Sequence, residues 1–120
     1  MSNEEMDELE KSEKDLIDAI KANNYITTKR LLEDEVCPFV GYHENTTLIM
    51  ALDLPDMKIL KLLIPYIYQA KGITHGEYFD RLYGMEYAIR YSREKNYSKK
   101  LDYLFECIKK YNIEINEHAI

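Results

Sequence analysis

The chain is poor in the residues that interrupt helices or cross-link chains: its 120 residues include 4 glycines, 3 prolines and 2 cysteines. So few Gly and Pro residues favour helices joined by short loops. The two cysteines, Cys37 and Cys107, fit no metal-binding spacing, and each lies in an apolar stretch typical of a small buried residue. Two cysteines without a secretory segment predict a reducing compartment, and therefore a cytoplasmic protein.

Long hydrophobic runs are also missing. No stretch approaches the roughly 18 consecutive apolar residues that a membrane-spanning helix needs. Residues 1–10 are acidic and lack the apolar core of a signal peptide. We therefore expect neither membrane association nor a cleaved leader. Apolar residues make up 46% of the sequence, which suits one globular domain of this length.

Charge is distributed unevenly along the chain. Residues 1–56 carry 14 acids and 5 bases, giving −9, whereas residues 57–120 carry 8 acids and 11 bases, giving +3. Such an asymmetry is informative about partners. It fits two ends of a short domain that partly compensate each other, and it also fits one end that meets a charged partner.

Two stretches of the chain repeat each other at a spacing of 32 residues. The recurring residues pair as Leu16 with Leu48, Ala19 with Ala51, Ile20 with Leu52, Lys29 with Lys61, Leu31 with Leu63, and Leu32 with Ile64. A period of this length is typical of stacked supersecondary units. One unit cannot bury its apolar face alone, so its neighbours must cover it.

Apolar periodicity predicts six helices and no strands, at about residues 2–22, 26–35, 46–54, 57–70, 77–92 and 97–111. We expect a break near Ser12, an N-cap at Asp56, and an end or kink at Pro65. The predicted fold is all-α, a short stack of about three antiparallel helix pairs; an irregular helical bundle is the alternative. Residues 1–11 form an acidic N-terminal arm, 12–116 the helical-repeat domain and 117–120 a tail.

The repeated units resemble ankyrin repeats. The segment Thr46–Ala51 keeps the Thr, Leu and Ala of the family's Thr-Pro-Leu-His-x-Ala signature, but not its Pro or His. Asp56–Ile64 resembles the second helix of a family repeat, and Asp15–Ile20 resembles the first helix of another. A third, degenerate unit aligns on Ala88 at a spacing of 37. The resemblance covers residues 12–116 and implies an ankyrin-like solenoid that binds a protein.

The resemblance also implies which positions form the binding surface. Carried over by alignment, the partner-binding positions are Lys21, Tyr42, His43, Asn45, Asp53, Leu54, Phe79, Asp80, Arg90 and Tyr91. The expected function is a non-catalytic interaction module that binds or inhibits a host protein, and homo-oligomer formation stays open. Ile, Lys, Tyr and Asn supply 43 of the 120 residues; their codons are rich in A and T, which suggests a virus or symbiont.

Two other functions compete with this one. Residues 90–110 carry seven bases and three acids interleaved with tyrosines, a composition that can bind nucleic acid. The negative charge of the whole chain makes that partner the weaker prediction. The acidic arm could instead act as an inhibitor. His43, His75 and His118 are isolated, and no phosphate loop or nucleophile elbow is present. We therefore predict no enzyme, no metal and no cofactor.

Overall fold

The computed structural model describes the backbone of residues 3–34, 36, 46–68 and 75–116, and the side chains of residues 12–34, 36, 47–68 and 81–116. Six helices account for most of this: α1 (Asn3–Lys21), α2 (Tyr25–Glu33), α3 (Thr46–Leu52), α4 (Lys58–Tyr68), α5 (His75–Glu94) and α6 (Ser98–Lys110). The described ranges contain no strand. The all-α prediction is confirmed.

The helices contact each other in an ordered ladder. The sequence-adjacent pairs α1/α2, α3/α4 and α5/α6 each pack together. Between pairs, α1 contacts α3, α3 contacts α5, and α2 contacts α4. We call the contact of the first pair with the second the first joint, and that of the second pair with the third the second joint. The fully buried core residues run through all three pairs, and the largest are Leu16, Ile20, Leu48, Leu52, Ile59, Leu60, Leu63, Ile64, Ile67, Met85, Ile89 and Leu104.

Three helices end in the same asparagine turn. Asn23, Asn96 and Asn112 follow α1, α5 and α6 with φ of 53°, 58° and 52°. Asparagine tolerates this left-handed region better than most residues. After α1, the Asn24 N–H donates to Ala19 O and the Asn23 N–H to Ile20 O, both at 2.9 Å. Matching bond pairs follow the other two helices, so each end is a Schellman turn.

The residues of the 32-residue repeat occupy equivalent environments. Four pairs are buried on both sides: Leu16 and Leu48, Ala19 and Ala51, Ile20 and Leu52, Leu32 and Ile64. Lys29 and Lys61 are both exposed, while Leu31 is half-buried and its counterpart Leu63 fully buried. The periodicity therefore marks the same face of equivalent helices in the first two pairs, α1 with α3 and α2 with α4.

Two expected interruptions of helices can be compared with the structure. The predicted break near Ser12 is wrong, because α1 continues across it and joins the predicted arm to the domain. Of the two outcomes expected at Pro65, an end of the helix is excluded, since α4 runs on to Tyr68. Proline removes one backbone hydrogen bond, but the buried Ile64 and Ile67 on either side keep the helix against the core. In the part of the chain that the structure describes, no helix has the length and apolarity to cross a bilayer.

Candidate protein-interaction site

An exposed carboxylate with two tyrosine partners lies at the second joint. Asp53 follows the last residue of α3 and is exposed. The Tyr91 hydroxyl, from α5, lies 2.8 Å from each carboxylate oxygen and donates to them. The Tyr97 hydroxyl, just before α6, donates to Oδ1 at 2.9 Å. Two tyrosines, 38 and 44 positions after Asp53 in sequence, thus hold its carboxylate in a fixed orientation. We call these three residues, with the rings and cations described below, the Asp53 cluster.

Lys100, on α6, contacts the C-terminal end of α3 next to Asp53. The Lys100 ammonium donates to the carbonyl oxygen of Leu52 at 2.6 Å and also to that of Leu54. A helix leaves its last carbonyls without intrahelical partners, and a cation there also offsets the negative end of the helix dipole. Lys100 therefore fixes the end of α3, and with it the position of Asp53, relative to α6.

Contacts between rings, stacked for Tyr87–Tyr91 and edge-to-face for Tyr91–Tyr97, and between rings and cations extend the cluster along α5 and to the start of α6. They form a strip on which tyrosine faces alternate with basic groups. The pairs, with the distances that join ring centroids or join a cation to a ring centroid, are Tyr87–Tyr91 at 6.4 Å, Tyr91–Tyr97 at 6.4 Å, Arg90–Tyr87 at 5.9 Å, Lys95–Tyr91 at 5.6 Å and Lys100–Tyr97 at 4.6 Å.

The carboxylate changes the acidity of both hydroxyls. Donation of its hydroxyl hydrogen to Asp53 raises the pKa of Tyr91 to about 12, with burial as a smaller cause. The same hydrogen bond raises the pKa of Tyr97 above its usual value. Each hydroxyl donates only while it is protonated, so both tyrosines stay neutral at physiological pH. The cluster then carries one negative charge, on Asp53, bordered by the positive charges of Arg90, Lys95 and Lys100.

The structure brings together some of the residues predicted to bind a partner. Asp53 and Tyr91 are bonded directly, and the exposed Arg90 lies over the Tyr87 ring beside them. Lys21 is exposed in the last turn of α1, in the first pair. The expectation that Leu54 lies on the surface is wrong: it is 8% exposed and belongs to the core, because the turn after α3 directs Asp53 outward and Leu54 inward.

The remaining predicted positions lie outside this description. Tyr42, His43 and Asn45 fall outside the described residues, as does Cys37. Phe79 and Asp80 belong to α5, but their side chains are not among those described.

Four residues of the cluster are absent from the predicted site: Tyr87, Lys95, Tyr97 and Lys100. The sequence marks the last three only as parts of the basic, tyrosine-rich stretch 90–110. The i, i+4 spacing of Tyr87 and Tyr91 does predict their stacking. Nothing local in sequence connects Tyr97 to Asp53, which is 44 positions away.

The part of the chain that the structure describes contains no group of three or more His, Cys, Asp or Glu side chains that could hold a metal ion. Cys107 is buried in the core, and burial raises the pKa of its thiol. Comparison of the chain with known protein families, with curated proteins and with solved structures finds no match.

Proposed function

We propose that the chain is a non-catalytic, ankyrin-like protein-interaction module that binds its partner through the Asp53 cluster. The observation that carries this proposal is the exposed Asp53 carboxylate held by Tyr91 and Tyr97. A carboxylate oriented in advance loses little freedom when it accepts hydrogen bonds from a partner. Tyrosine and arginine are the residues that most often dominate binding energy at protein interfaces.

The repeat supports the ankyrin-like part of the proposal. Successive first helices contact one another along the ladder, as do α2 and α4. The turn after α1 also contacts the turn before α4, since the Asn23 side-chain amide donates to Asp56 Oδ2 at 3.1 Å. These positions differ by one repeat period plus one residue. Location in the cytoplasm and an origin in a virus or symbiont that targets a host protein are further parts of the proposal, and they depend on composition alone.

Nucleic-acid binding is the second candidate, favoured by the pairing of cations with aromatic rings on α5 and α6. The nucleic-acid hypothesis is weakened because Lys95 and Lys100 already have partners within the chain. Lys100 already donates to two backbone carbonyls and is half-buried, so it is a poor phosphate ligand. Lys95 lies over the Tyr91 ring, and a base stacked on that face would have to displace it.

Affinity capture with the full chain as bait tests the proposal. The partner retained from the source cell is identified and then titrated against purified variants. Tyr91→Ala and Arg90→Ala should each weaken binding at least about fivefold, whereas Tyr83→Ala, a truncation of an exposed tyrosine on the same helix, should leave it unchanged. Tyr91→Phe separates the contribution of the ring from that of the hydrogen bond to Asp53, because it keeps the ring and removes the hydroxyl.

Two outcomes would count against the proposal. In one, Lys99→Ala and Lys109→Ala reduce binding most and Tyr91→Ala is silent. In the other, the captured ligand is a nucleic acid whose affinity falls steeply with salt, as phosphate contacts require.

A further inference from the structure

A groove lies at the far end of the ladder, on the third helix pair. Its volume is about 520 Å³. Its apolar lining comes from α6 and from the segment that follows it, and its rim is charged. The apolar residues are Phe105, Ile108, Ile113 and Ile115, and the charged residues are Arg93, Lys109 and Glu114. A partner for this groove needs apolar side chains together with negative charge.

The segment that forms one wall of the groove is held in place. The Ile113 N–H donates to Ile108 O at 3.0 Å in the turn at Asn112. Further on, the Asn116 N–H donates to Glu86 Oε1 at 2.8 Å. Glu86 is only 5% exposed, so a buried carboxylate fastens the segment to α5. A wall fixed at both ends does not have to be ordered when a ligand binds.

Charge of the opposite sign is concentrated at the other end of the ladder. Residues 3–11 contain five acids and one base: Glu4, Glu5, Asp7, Glu8, Glu10 and Lys11. The sequence there also has Met6 and Leu9, three positions apart, a spacing that makes residues neighbours on a helix.

α1 is much longer than the helices it packs on. It has 19 residues, whereas α2 and α3 have 9 and 7. At 1.5 Å per residue, α1 spans about 28 Å and these two helices about 14 and 10 Å. α2 follows the C-terminal end of α1 directly, so α2 can pack along the C-terminal half of α1 and is too short to reach the acidic first turns.

We propose that the groove binds the acidic first half of α1 from a second copy of this chain. Two of the three charged rim residues, Arg93 and Lys109, are basic and face the acids, which leaves the rim, with Glu114, a net positive charge. The apolar lining receives the apolar residues between the acids. The two surfaces differ and lie on different helix pairs, so the contact is head-to-tail and repeats from chain to chain. The groove shares no residue with the Asp53 cluster, so this proposal and the proposed function fail or succeed separately.

Analytical ultracentrifugation of the full chain over a range of concentrations tests the proposal. The wild type should associate with increasing concentration, and raising the salt should weaken association because the rim charges become screened. Lys109→Glu should abolish association, whereas Lys110→Glu should not, since it makes the same charge change one residue along, outside the groove lining.

A mixture of two variants, each of which lacks one of the two contact surfaces, tests whether the contact is head-to-tail. A chain without residues 1–11 keeps the groove, and the Lys109→Glu chain keeps the acidic segment. Each alone should be monomeric, and an equimolar mixture should form a dimer and nothing larger. Should the deletion disturb folding, a full-length chain with Glu4, Glu5, Asp7, Glu8 and Glu10 changed to amides replaces it.

Several results would overturn the proposal. These are a wild type that stays monomeric at all concentrations in low salt, equal losses from Lys109→Glu and Lys110→Glu, association that survives removal of the acidic segment, and a mixture that stays monomeric.

Discussion

Both joints of the ladder bury apolar residues of one core, but they differ in the polar contacts that they add. At the first, repeat-equivalent apolar residues are buried, and Asn23 in the turn after α1 bonds to Asp56 in the turn before α4. At the second, an exposed carboxylate, two tyrosine hydroxyls and a lysine ammonium bond across the junction. The same α3 thus meets a regular neighbour on one side and a polar, tyrosine-rich one on the other.

This difference separates packing from recognition. Apolar burial at the first joint fixes the stack, and the bond of the Asn23 amide to Asp56 is a small addition to it. At the second joint the Asp53 carboxylate and its hydrogen bonds to the two tyrosine hydroxyls lie at the surface, where they contribute little to stability because water competes for them. Groups that add little to stability and are nonetheless held in a fixed arrangement are suited to contacting a partner. The following predictions test that division.

Apart from the control Leu16→Ala described below, the largest effect is expected at Ala51, in the helix α3 that takes part in both joints. It is 0% exposed, and α3 contacts α1, α4 and α5. Ala51→Leu should overpack the core and lower the free energy of unfolding by about 1–3 kcal/mol. Ala22→Leu makes the same substitution at an exposed position after α1 and should leave the unfolding midpoint nearly unchanged. Equal unfolding midpoints for wild type and Ala51→Leu would mean that α3 is not tightly packed against its neighbouring helices at this position.

A smaller effect is expected at Lys100, the one group of the second joint with a structural role in α3. Lys100→Met keeps much of the stem and removes the donor to Leu52 and Leu54. We expect a loss of about 1–2 kcal/mol in the free energy of unfolding, because half-buried carbonyls lose a charged donor. Lys99→Met is the control, since Lys99 is exposed beside it. If both variants behave alike in denaturant titration, Lys100 does not anchor α3.

Asp53→Asn should cost less than about 1 kcal/mol of stability, because the carboxylate is exposed. Its clearer readout is the titration of tyrosine. The bond to Asp53 raises the pKa of Tyr91 to about 12, so its stabilising effect is complete below pH 10 and is lost as pH rises toward 12. In Asp53→Asn, tyrosinate absorbance should rise at lower pH than in the wild type. Asp102→Asn, at an exposed acid on α6, should leave the titration curve unchanged; a shift there as large as at Asp53 would contradict the assignment.

The first joint could be predicted from the sequence, and most of the second could not. Leu16 and Leu48 are marked by periodicity, which reflects burial on one helix face. Leu54 was misplaced because the direction of a side chain just past a helix end depends on the turn, and the repeat alignment does not specify it. The bond of Tyr97 to Asp53 depends on how α6 lies against α3. That placement results from packing between distant segments, which leaves no periodic signal in the sequence.

The smallest effect is expected from removal of residues 1–11. Residues 1–11 are highly charged and form no wide apolar stripe. Among the side chains of α1 that the structure describes, those buried are Leu16, Ala19 and Ile20, and they lie beyond the deletion. The shortened helix would begin near Ser12, where Ser12-Glu13-Lys14-Asp15 resembles a capping box that could satisfy its new N-terminus. We therefore expect a change below about 0.5 kcal/mol in urea unfolding, measured at low protein concentration where the chains are monomeric. Leu16→Ala is the contrast within the same helix and should cost about 2–5 kcal/mol. A deletion as costly as Leu16→Ala would show that the first turns of α1 pack on the first helix pair and are needed for its stability.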